Sequence, residues 1–304
     1  MEFRDGIPFV HHACIEKETE LPALKGSKYV QSSTSGIFKE VRGLLSTGKN
    51  VIYTGTPCQI AGLRNYLRKD YSNLLLVDLV CHGVPNQKTF QDYIHSLTTD
   101  KRTVTQFKFR DKTYGWGHVG SITINDKTRP VHSEESPFFC LFLKGELLRP
   151  SCYKCQFSNM KRTGDITVGD YWGIELQHPE LLKANSGPIR SEEGCSCVLV
   201  NTEKGQEWLT KYGNACTLYE STPECVQEYN GCLNRPTPCG KHREELFNRY
   251  RNEGYSAVEG IYKQYYSPNL ISRVKLHTPN SIKRIYQKLK EKERRITHYG
   301  KSNT

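Results

Sequence analysis

Hydrophobic residues in the first hundred positions follow helical and strand periods that alternate along the chain. Apolar residues within 35–47 are spaced three and four apart, which predicts a helix that ends at Gly48. Residues 51–53 and 74–80 are short apolar runs, and each is followed by a turn and a further helical pattern. Strands that alternate with helices are normally parallel and joined by right-handed crossovers. The pattern therefore predicts a partly parallel βαβα sheet.

The pattern changes after residue 100. Residues 104–109 and 119–124 alternate between apolar and polar, and Asn125-Asp126 marks a turn into a third short strand, so this part is predicted to be antiparallel. An apolar helix over 138–147, strands within 165–173 and 196–202, and a helix over 202–212 follow. The predicted fold class is α/β to α+β: a partly parallel sheet, then antiparallel strands, with peripheral C-terminal helices. We divide the chain into domains at 1–100 and 101–240, followed by a basic helical tail at 241–304.

Charge and hydropathy exclude several classes of protein. The 304 residues carry a net charge of +11, and residues 240–304 hold 15 Lys and Arg against 6 Asp and Glu. No apolar run approaches the ~20 residues of a membrane helix, and the start has no secretory signal pattern, so we expect a cytoplasmic protein without a membrane span. Residues 279–296 form an amphipathic helical pattern. We interpret it as a helix that docks on the body, and we expect no nucleic-acid partner.

Four of the twelve cysteines have positions that suit metal binding. Cys58 and Cys81 each follow a predicted parallel strand, which places both at the carboxyl edge of the sheet, where open α/β sheets bind ligands. Cys152 and Cys155 form a CxxC loop. A chain without an export signal favours thiols and metal ligands over disulfides. Four thiolates are what a [4Fe-4S] cluster or a structural zinc ion requires.

Other assignments of the cysteines remain open on spacing alone. Cys195 and Cys197 lie two residues apart at a predicted strand, so the alternation of side chains would direct both sulfurs to the same face. A zinc site formed by this pair with Cys152 and Cys155 is therefore one alternative to the four-cysteine set. Scattered structural thiols are a second alternative. A third group recurs at seven-residue intervals with prolines and a glycine between, and incidental or weak metal binding is expected there: Cys225, Cys232 and Cys239.

Six strings, taken together, resemble the coenzyme F420 hydrogenase/dehydrogenase beta subunit family. The resemblance runs from about Gly26 to Asn201, and GTPCQ with CHGVP is its most specific pair. The strings are GSKYVQS (26–32), GTPCQIAGL (55–63), VDLVCHGVP (77–85), FRDK (109–112), CYKC (152–155) and DITVGDYWGI (165–174).

The resemblance implies an iron–sulfur flavoprotein oxidoreductase that passes electrons between a ferredoxin-like donor and an organic acceptor. It implies a [4Fe-4S] cluster held by Cys58, Cys81, Cys152 and Cys155, and it implies FAD. The implied FAD residues are Gly26, Ser27, Lys28, Thr56, Pro57, Gln59, Arg110 and Lys112. In the family, amides and cations at such positions would meet the pyrophosphate. No catalytic residue is assigned.

Two departures from the family shape the remaining expectations. The chain has none of the CxxCxxCxxxCP motifs of a ferredoxin-like module, so a ferredoxin-like donor or a partner subunit is expected to supply electrons. The resemblance begins well inside the family's N-terminal domain, so we interpret the chain as a truncated form or as a subunit that borrows the rest from a partner. A homo-oligomer is a further option. The alternatives are a zinc-stabilised binding protein with a basic tail and an inactive remnant of the family.

Overall fold

The computed structural model describes residues 1–99 and 101–278. The predicted helix at 279–296 and the end of the basic tail lie outside the described residues. The strands are β1 (Glu2–Arg4), β2 (Ile7–Phe9), β3 (Val51–Gly55), β4 (Leu74–Leu79), β5 (Val104–Lys108), β6 (Val119–Ile124), β7 (Lys127–His132), β8 (Ile166–Asp170) and β9 (Ser196–Val200). The α-helices are α1 (Leu21–Leu24), α2 (Ile37–Ser46), α3 (Pro57–Leu67), α4 (Gln87–Leu97), α5 (Pro137–Leu143), α6 (Ile174–Gln177), α7 (Glu203–Tyr212), α8 (Pro223–Tyr229), α9 (Arg243–Glu253), α10 (Ser256–Tyr265) and α11 (Leu270–His277).

A four-stranded sheet in the order β3-β4-β8-β9 combines two strands from residues 51–79 with two from residues 166–200. Strands β3, β4 and β8 are parallel, and β9 runs antiparallel to β8. Ile60 and Leu63 of α3 are fully buried against this sheet with Leu76 of β4. The partly parallel βαβα arrangement is confirmed, and it places the ends of β3 and β4 side by side.

A separate antiparallel sheet in the order β5-β6-β7 follows, as the alternating pattern predicts. Asn125 and Asp126 both have positive φ, at 46° and 64°, in the tight turn between β6 and β7. Such a turn matches the right-handed twist of the strands that it joins. The mixed parallel and antiparallel architecture confirms the predicted fold class.

The largest core is aromatic and joins this second sheet to α4, α5 and the C-terminal helices. Phe90 packs against Phe107, Phe109 and Phe138 with ring centroids 5.1–5.4 Å apart. The C-terminal helices bury an apolar face in the same core, with Leu246, Val258 and Ile261 wholly inaccessible.

One predicted helix is shorter than the sequence pattern suggests. The apolar run at 138–147 predicts a helix to Leu147, but α5 ends at Leu143. Gly145 has φ +74°, and a Cβ there would lie 2.7 Å from the carbonyl oxygen of Pro238. The chain turns at this glycine because another segment packs directly against its backbone.

Candidate metal centre

The first cysteine of the candidate centre lies at the start of α3, directly after β3. Thr56 and Gln59 form a capping box, in which the backbone N–H of Thr56 donates to Gln59 Oε1 at 3.0 Å, and Pro57 occupies the first helical position. Cys58 is exposed, and its Sγ lies 3.2 Å from Thr56 Oγ1.

A hydrogen-bond network from the N-terminal segment supports the same helix start. Gln59 Nε2 donates to Ser32 Oγ at 3.0 Å, and Ser32 Oγ pairs with His12 Nδ1 at 2.9 Å. His12 Nε2 contacts the carbonyl oxygen of Thr54 at 3.1 Å, and its ring stacks on Tyr53 at 5.2 Å. Residues outside the α3 turn therefore hold the side chain that caps it.

An open polar cavity of about 400 Å³ adjoins this network. Ser32 belongs to both the network and the cavity wall. The wall is formed by Gln31, Ser32, Ser33, Thr34, Ser35 and Gln87. Hydroxyl and amide groups of this kind bind polar ligands by hydrogen bonds.

The turn after β4 brings the second cysteine against the CxxC loop. Gly83 in the Cys81-His82-Gly83 turn has φ +115°, and a Cβ there would lie 3.2 Å from Cys152 Cβ and 2.8 Å from Leu148 Cδ1. The backbone N–H of Arg149 donates to the Val84 carbonyl at 2.9 Å. Only glycine combines this backbone conformation with so close an approach.

The other three predicted thiols affect the pKa of Cys81. Burial is the main cause that raises this pKa to about 12; the thiols of Cys152, Cys58 and Cys155 also raise it, and the Gly83 N–H lowers it. Burial also raises the pKa of Cys152, which the Val84 N–H lowers and which Cys155 and Cys58 raise. Cys58, Cys152 and Cys155 therefore all lie near enough to Cys81 to affect its pKa.

These thiols do not close around a single ion. Among residues 1–99 and 101–278, no three His, Cys, Asp or Glu side chains are arranged to hold one metal ion. The rival pair lies elsewhere on the sheet: burial raises the pKa of Cys197 to about 11, and its charged neighbours include Asp170 and Cys195. Cys195 and Cys197 pack in one cluster with Tyr171 and Cys225.

A buried ion pair fixes the segment after the CxxC loop to the end of β4. Arg162 Nη2 donates to Asp78 Oδ1 at 2.8 Å, and the two side chains are 2% and 0% exposed. Asp78 also accepts from Thr163 N at 3.0 Å, Gly164 N at 2.8 Å and Thr167 Oγ1 at 2.6 Å. Both carboxylate oxygens are satisfied, which compensates the desolvation of the charge.

The glycine-serine-lysine string predicted to bind FAD lies beside Arg110 in space. Ser27 and Arg110 both lie near enough to the Tyr29 side chain to lower its pKa, which burial raises. Gly26 and Ser27 are exposed. Lys28 Nζ, however, donates to the carbonyl oxygens at the end of α1, which are those of Ala23, Leu24 and Lys25 at 3.3, 2.9 and 2.6 Å.

Arg110 also has protein partners. It forms a close ion pair with Asp170, and its Nε donates to the Gly117 carbonyl at 3.0 Å. Trp116 Nε1 donates to the same carboxylate at 3.1 Å, and its ring stacks on Trp172 at 4.6 Å. Lys112 is exposed in the turn Lys112–Tyr114. The predicted FAD residues therefore form two groups, one at the α3 start and one around Tyr29, with Lys112 at the surface.

Two residues near the candidate centre, Cys232 and Thr237, are absent from the site that the sequence predicts. Cys232 interacts electrostatically with Cys155, and Thr237 Oγ1 donates to the His82 carbonyl at 2.5 Å. The seven-residue spacing of the late cysteines gave no such signal, because the contact depends on how residues 231–240 fold back.

The fold defines a mixed α/β protein in which Cys58 and Cys81 each follow one of two neighbouring parallel strands. Residues 48–224, more than half of the chain, match the C-terminal domain of the family described as "Coenzyme F420 hydrogenase/dehydrogenase, beta subunit". The chain belongs to this family, whose description is that of an oxidoreductase subunit. A search of the curated proteins found no match. Within the described residues, none of the helices has the length and apolar character needed to cross a bilayer.

Proposed function

We propose that the protein is an iron–sulfur flavoprotein oxidoreductase that passes electrons between a ferredoxin-like donor or partner subunit and an organic acceptor. The observation that supports this proposal is that Cys58, Cys152 and Cys155, which come from two separate segments, all lie near enough to Cys81 to affect its pKa. The beta-subunit description of the family supports a partner subunit. Twelve free cysteines support a reducing, cytoplasmic setting.

Four cysteine thiols are the donor set of a [4Fe-4S] cluster. Membership of an oxidoreductase family favours such a redox centre over a structural zinc ion. We assign Cys58, Cys81, Cys152 and Cys155 as the ligands. When bound, an iron–sulfur cluster supplies one-electron transfer.

The protein's own contribution is to hold thiolates and exclude water. The N–H groups of Gly83 and Val84 lower the pKa values of Cys81 and Cys152, so they stabilise the form that binds metal. Leu148 packs directly on the Gly83 turn and is fully buried, so it shields this side of the site from solvent. Such hydrogen bonds and burial also set the reduction potential of a bound cluster.

The family resemblance supports FAD binding, whereas the contacts of the predicted cations do not support it. Lys28 and Arg110 already have protein partners, so in this arrangement they do not fit a pyrophosphate site. The helix start at Thr56, Pro57 and Gln59 adjoins the polar cavity through Ser32. We propose this cavity as the binding region for the organic partner.

The test is the iron, acid-labile sulfide, zinc and flavin content of the anaerobically purified protein, with its visible absorption spectrum. We expect about four irons and four sulfides per chain, as a [4Fe-4S] cluster has. Stoichiometric zinc without sulfide would contradict the redox function and support the zinc-stabilised binding protein. Absence of metal after anaerobic reconstitution with ferrous iron and sulfide would instead support the inactive remnant.

A further inference from the structure

Helix α11 carries three large apolar side chains that the described part of the chain leaves exposed. Leu270, Ile271 and Val274 are 78%, 68% and 62% exposed. At ~3.6 residues per turn, these positions lie within about 100° of one another around the helix axis, so they form one face. None of them belongs to an apolar cluster of the described residues. We call these three side chains the α11 apolar face.

The position of α11 is fixed from its other side and at both of its ends. Asn269 Oδ1 accepts from the Ser272 N–H at 2.9 Å, which caps the first turn. At the other end, His277 Nε2 lies 2.9 Å from Oε2 of Glu135, shortly before α5. Ser272 and Leu276, which lie opposite the α11 apolar face, are half-buried. The helix is therefore held with its apolar face turned away from the rest of the described chain.

Basic side chains flank the α11 apolar face and continue beyond it in the sequence. Arg273 lies next to one edge of the face and Lys275 next to the other, and both are exposed. Residues 279–304 follow directly and carry 8 Lys and Arg against 2 Asp and Glu. A surface that covers this face is therefore favoured when it carries negative charge.

This charge distinguishes between the surfaces that could cover the face. Residues 279–304 would bring like charges against Arg273 and Lys275. A second copy that packs α11 on α11 would do the same, since a two-fold interface places the same patch on both sides. An anionic lipid surface suits the whole arrangement, because apolar side chains enter the acyl boundary while the stems of Lys and Arg extend to the phosphates.

We propose that α11 binds the surface of an anionic lipid bilayer. Its apolar face enters the boundary between headgroups and acyl chains, and Arg273, Lys275 and the basic segment 279–304 pair with lipid phosphates. The helix has eight residues, a length of ~12 Å, so it lies in the plane of the interface and does not cross the bilayer. This inference does not depend on the proposed redox function, and it gives the basic C-terminal part of the chain a partner.

The experiment measures sedimentation of the full chain with two kinds of vesicle, one of phosphatidylcholine alone and one of equal parts phosphatidylcholine and phosphatidylglycerol. The wild type is compared with Leu270→Ser/Ile271→Ser and with Arg273→Gln/Lys275→Gln. The matched control is Leu176→Ser/Leu218→Ser, which replaces leucines outside α11 that are 64% and 50% exposed. Circular dichroism shows which variants are folded, and size-exclusion chromatography gives their oligomeric state.

We expect the wild type and the matched control to bind the anionic vesicles and not the neutral ones. Leu270→Ser/Ile271→Ser should bind at least about tenfold more weakly, because two large apolar side chains no longer leave water on binding. Arg273→Gln/Lys275→Gln should bind several-fold more weakly, since each basic side chain near the surface adds to the attraction.

Equal affinity of the wild type and Leu270→Ser/Ile271→Ser for anionic vesicles would overturn the role of the α11 apolar face. Equal binding of the wild type to both kinds of vesicle, or no binding to either, would overturn the anionic bilayer as the partner. A wild-type dimer that becomes a monomer in Leu270→Ser/Ile271→Ser would show that a second copy covers the face instead.

Discussion

The thiols of the candidate centre differ in the backbone that surrounds each of them. Cys58 is exposed at a helix start, whereas Cys81 and Cys152 are packed against each other's turns and receive N–H groups. Metal binding requires each thiol to lose a proton. The two N–H donors lower the cost of that step at Cys81 and Cys152.

Cys58→Ser tests the ligand role where folding is least affected, because this side chain is exposed. We expect bound iron to fall at least about tenfold, since losing a ligand costs no less than losing an outer-shell partner. Metal analysis of the purified protein measures the effect. Cys216→Ser, also at an exposed cysteine, is the control and should leave the iron content unchanged.

His12 gives the helix start a dependence on pH. Burial is the main cause that lowers its pKa below the ordinary value of 6.5, and hydrogen bonds with the backbone only partly oppose this. The unfolded chain therefore binds a proton at a higher pH than the folded one. The stability that neutral His12 contributes is complete above about pH 6.5 and is lost as the pH falls below that value.

We expect the free energy of unfolding of the wild type to decrease between pH 7.5 and pH 5.5, and to decrease less in His12→Phe. Phenylalanine keeps the stacking on Tyr53 but cannot be protonated. Burial also lowers the pKa values of His82 and His118, so some dependence on pH remains. Urea denaturation at each pH measures the slope, with His95→Phe on the exposed side of α4 as the control. Equal slopes in wild type and His12→Phe would contradict this account.

The positions of Cys58 and Cys81 could be predicted because each follows directly from a local strand-turn-helix pattern. The surroundings of Lys28 and Arg110 could not. Their partners are the carbonyl groups at the end of α1 and the carboxylate of Asp170, and those contacts form only when the segments pack. The sequence alone does not show which acceptor group the fold brings to a given lysine or arginine.

At the scale of elements, the Asp78–Arg162 pair connects the end of β4 to the loop that follows Cys155. Arg162 also donates to the carbonyl groups of Phe157, Asn159 and Leu79, so one guanidinium group organises the whole loop. Its five donors suit this role, which a lysine could not fill.

Asp78→Asn should destabilise the protein by about 3–5 kcal/mol, because it leaves a buried guanidinium without its counter-charge. Bound iron should fall as well, since the loop after Cys155 loses its anchor. Thermal or urea unfolding and metal analysis measure the two effects. Asp70→Asn removes an exposed partner of Arg64 and is expected to change stability by no more than ~1 kcal/mol. A comparable loss at both positions would argue against the anchoring role of Asp78.

Most of the elements could be predicted, since helices and strands with one buried face repeat their apolar residues at a fixed period. The end of α5 could not, because Gly145 turns where a distant segment packs on it. For the same reason the nearness of Cys232 to Cys155 has no counterpart in the sequence pattern.

At the scale of the whole molecule, the C-terminal helices share a core with the antiparallel sheet. Ile261 and Val258 of α10 are wholly buried in the cluster that holds Phe107 and Phe138. The largest apolar core of the described residues therefore contains side chains from both sides of position 240.

Ile261→Ala should lower the free energy of unfolding by about 2–5 kcal/mol while the transition stays single, because the cavity forms in a shared core. Urea denaturation followed by fluorescence and by circular dichroism measures the free energy of unfolding. It also shows whether the two signals change in the same transition. Leu270→Ala, at a side chain that is 78% exposed, is the control and should have little effect. A separate early transition in Ile261→Ala would show that the C-terminal helices unfold as an independent unit.

The candidate ligands come from three segments that are far apart along the chain, with the CxxC loop following the β5–β7 sheet in sequence. During synthesis the ribosome therefore releases Cys58 and Cys81 long before Cys152 and Cys155, and Cys232 later still. Domains form as their residues emerge. On the proposed ligand assignment, a metal centre thus cannot be completed until the chain has been synthesised beyond Cys155, about half of its length.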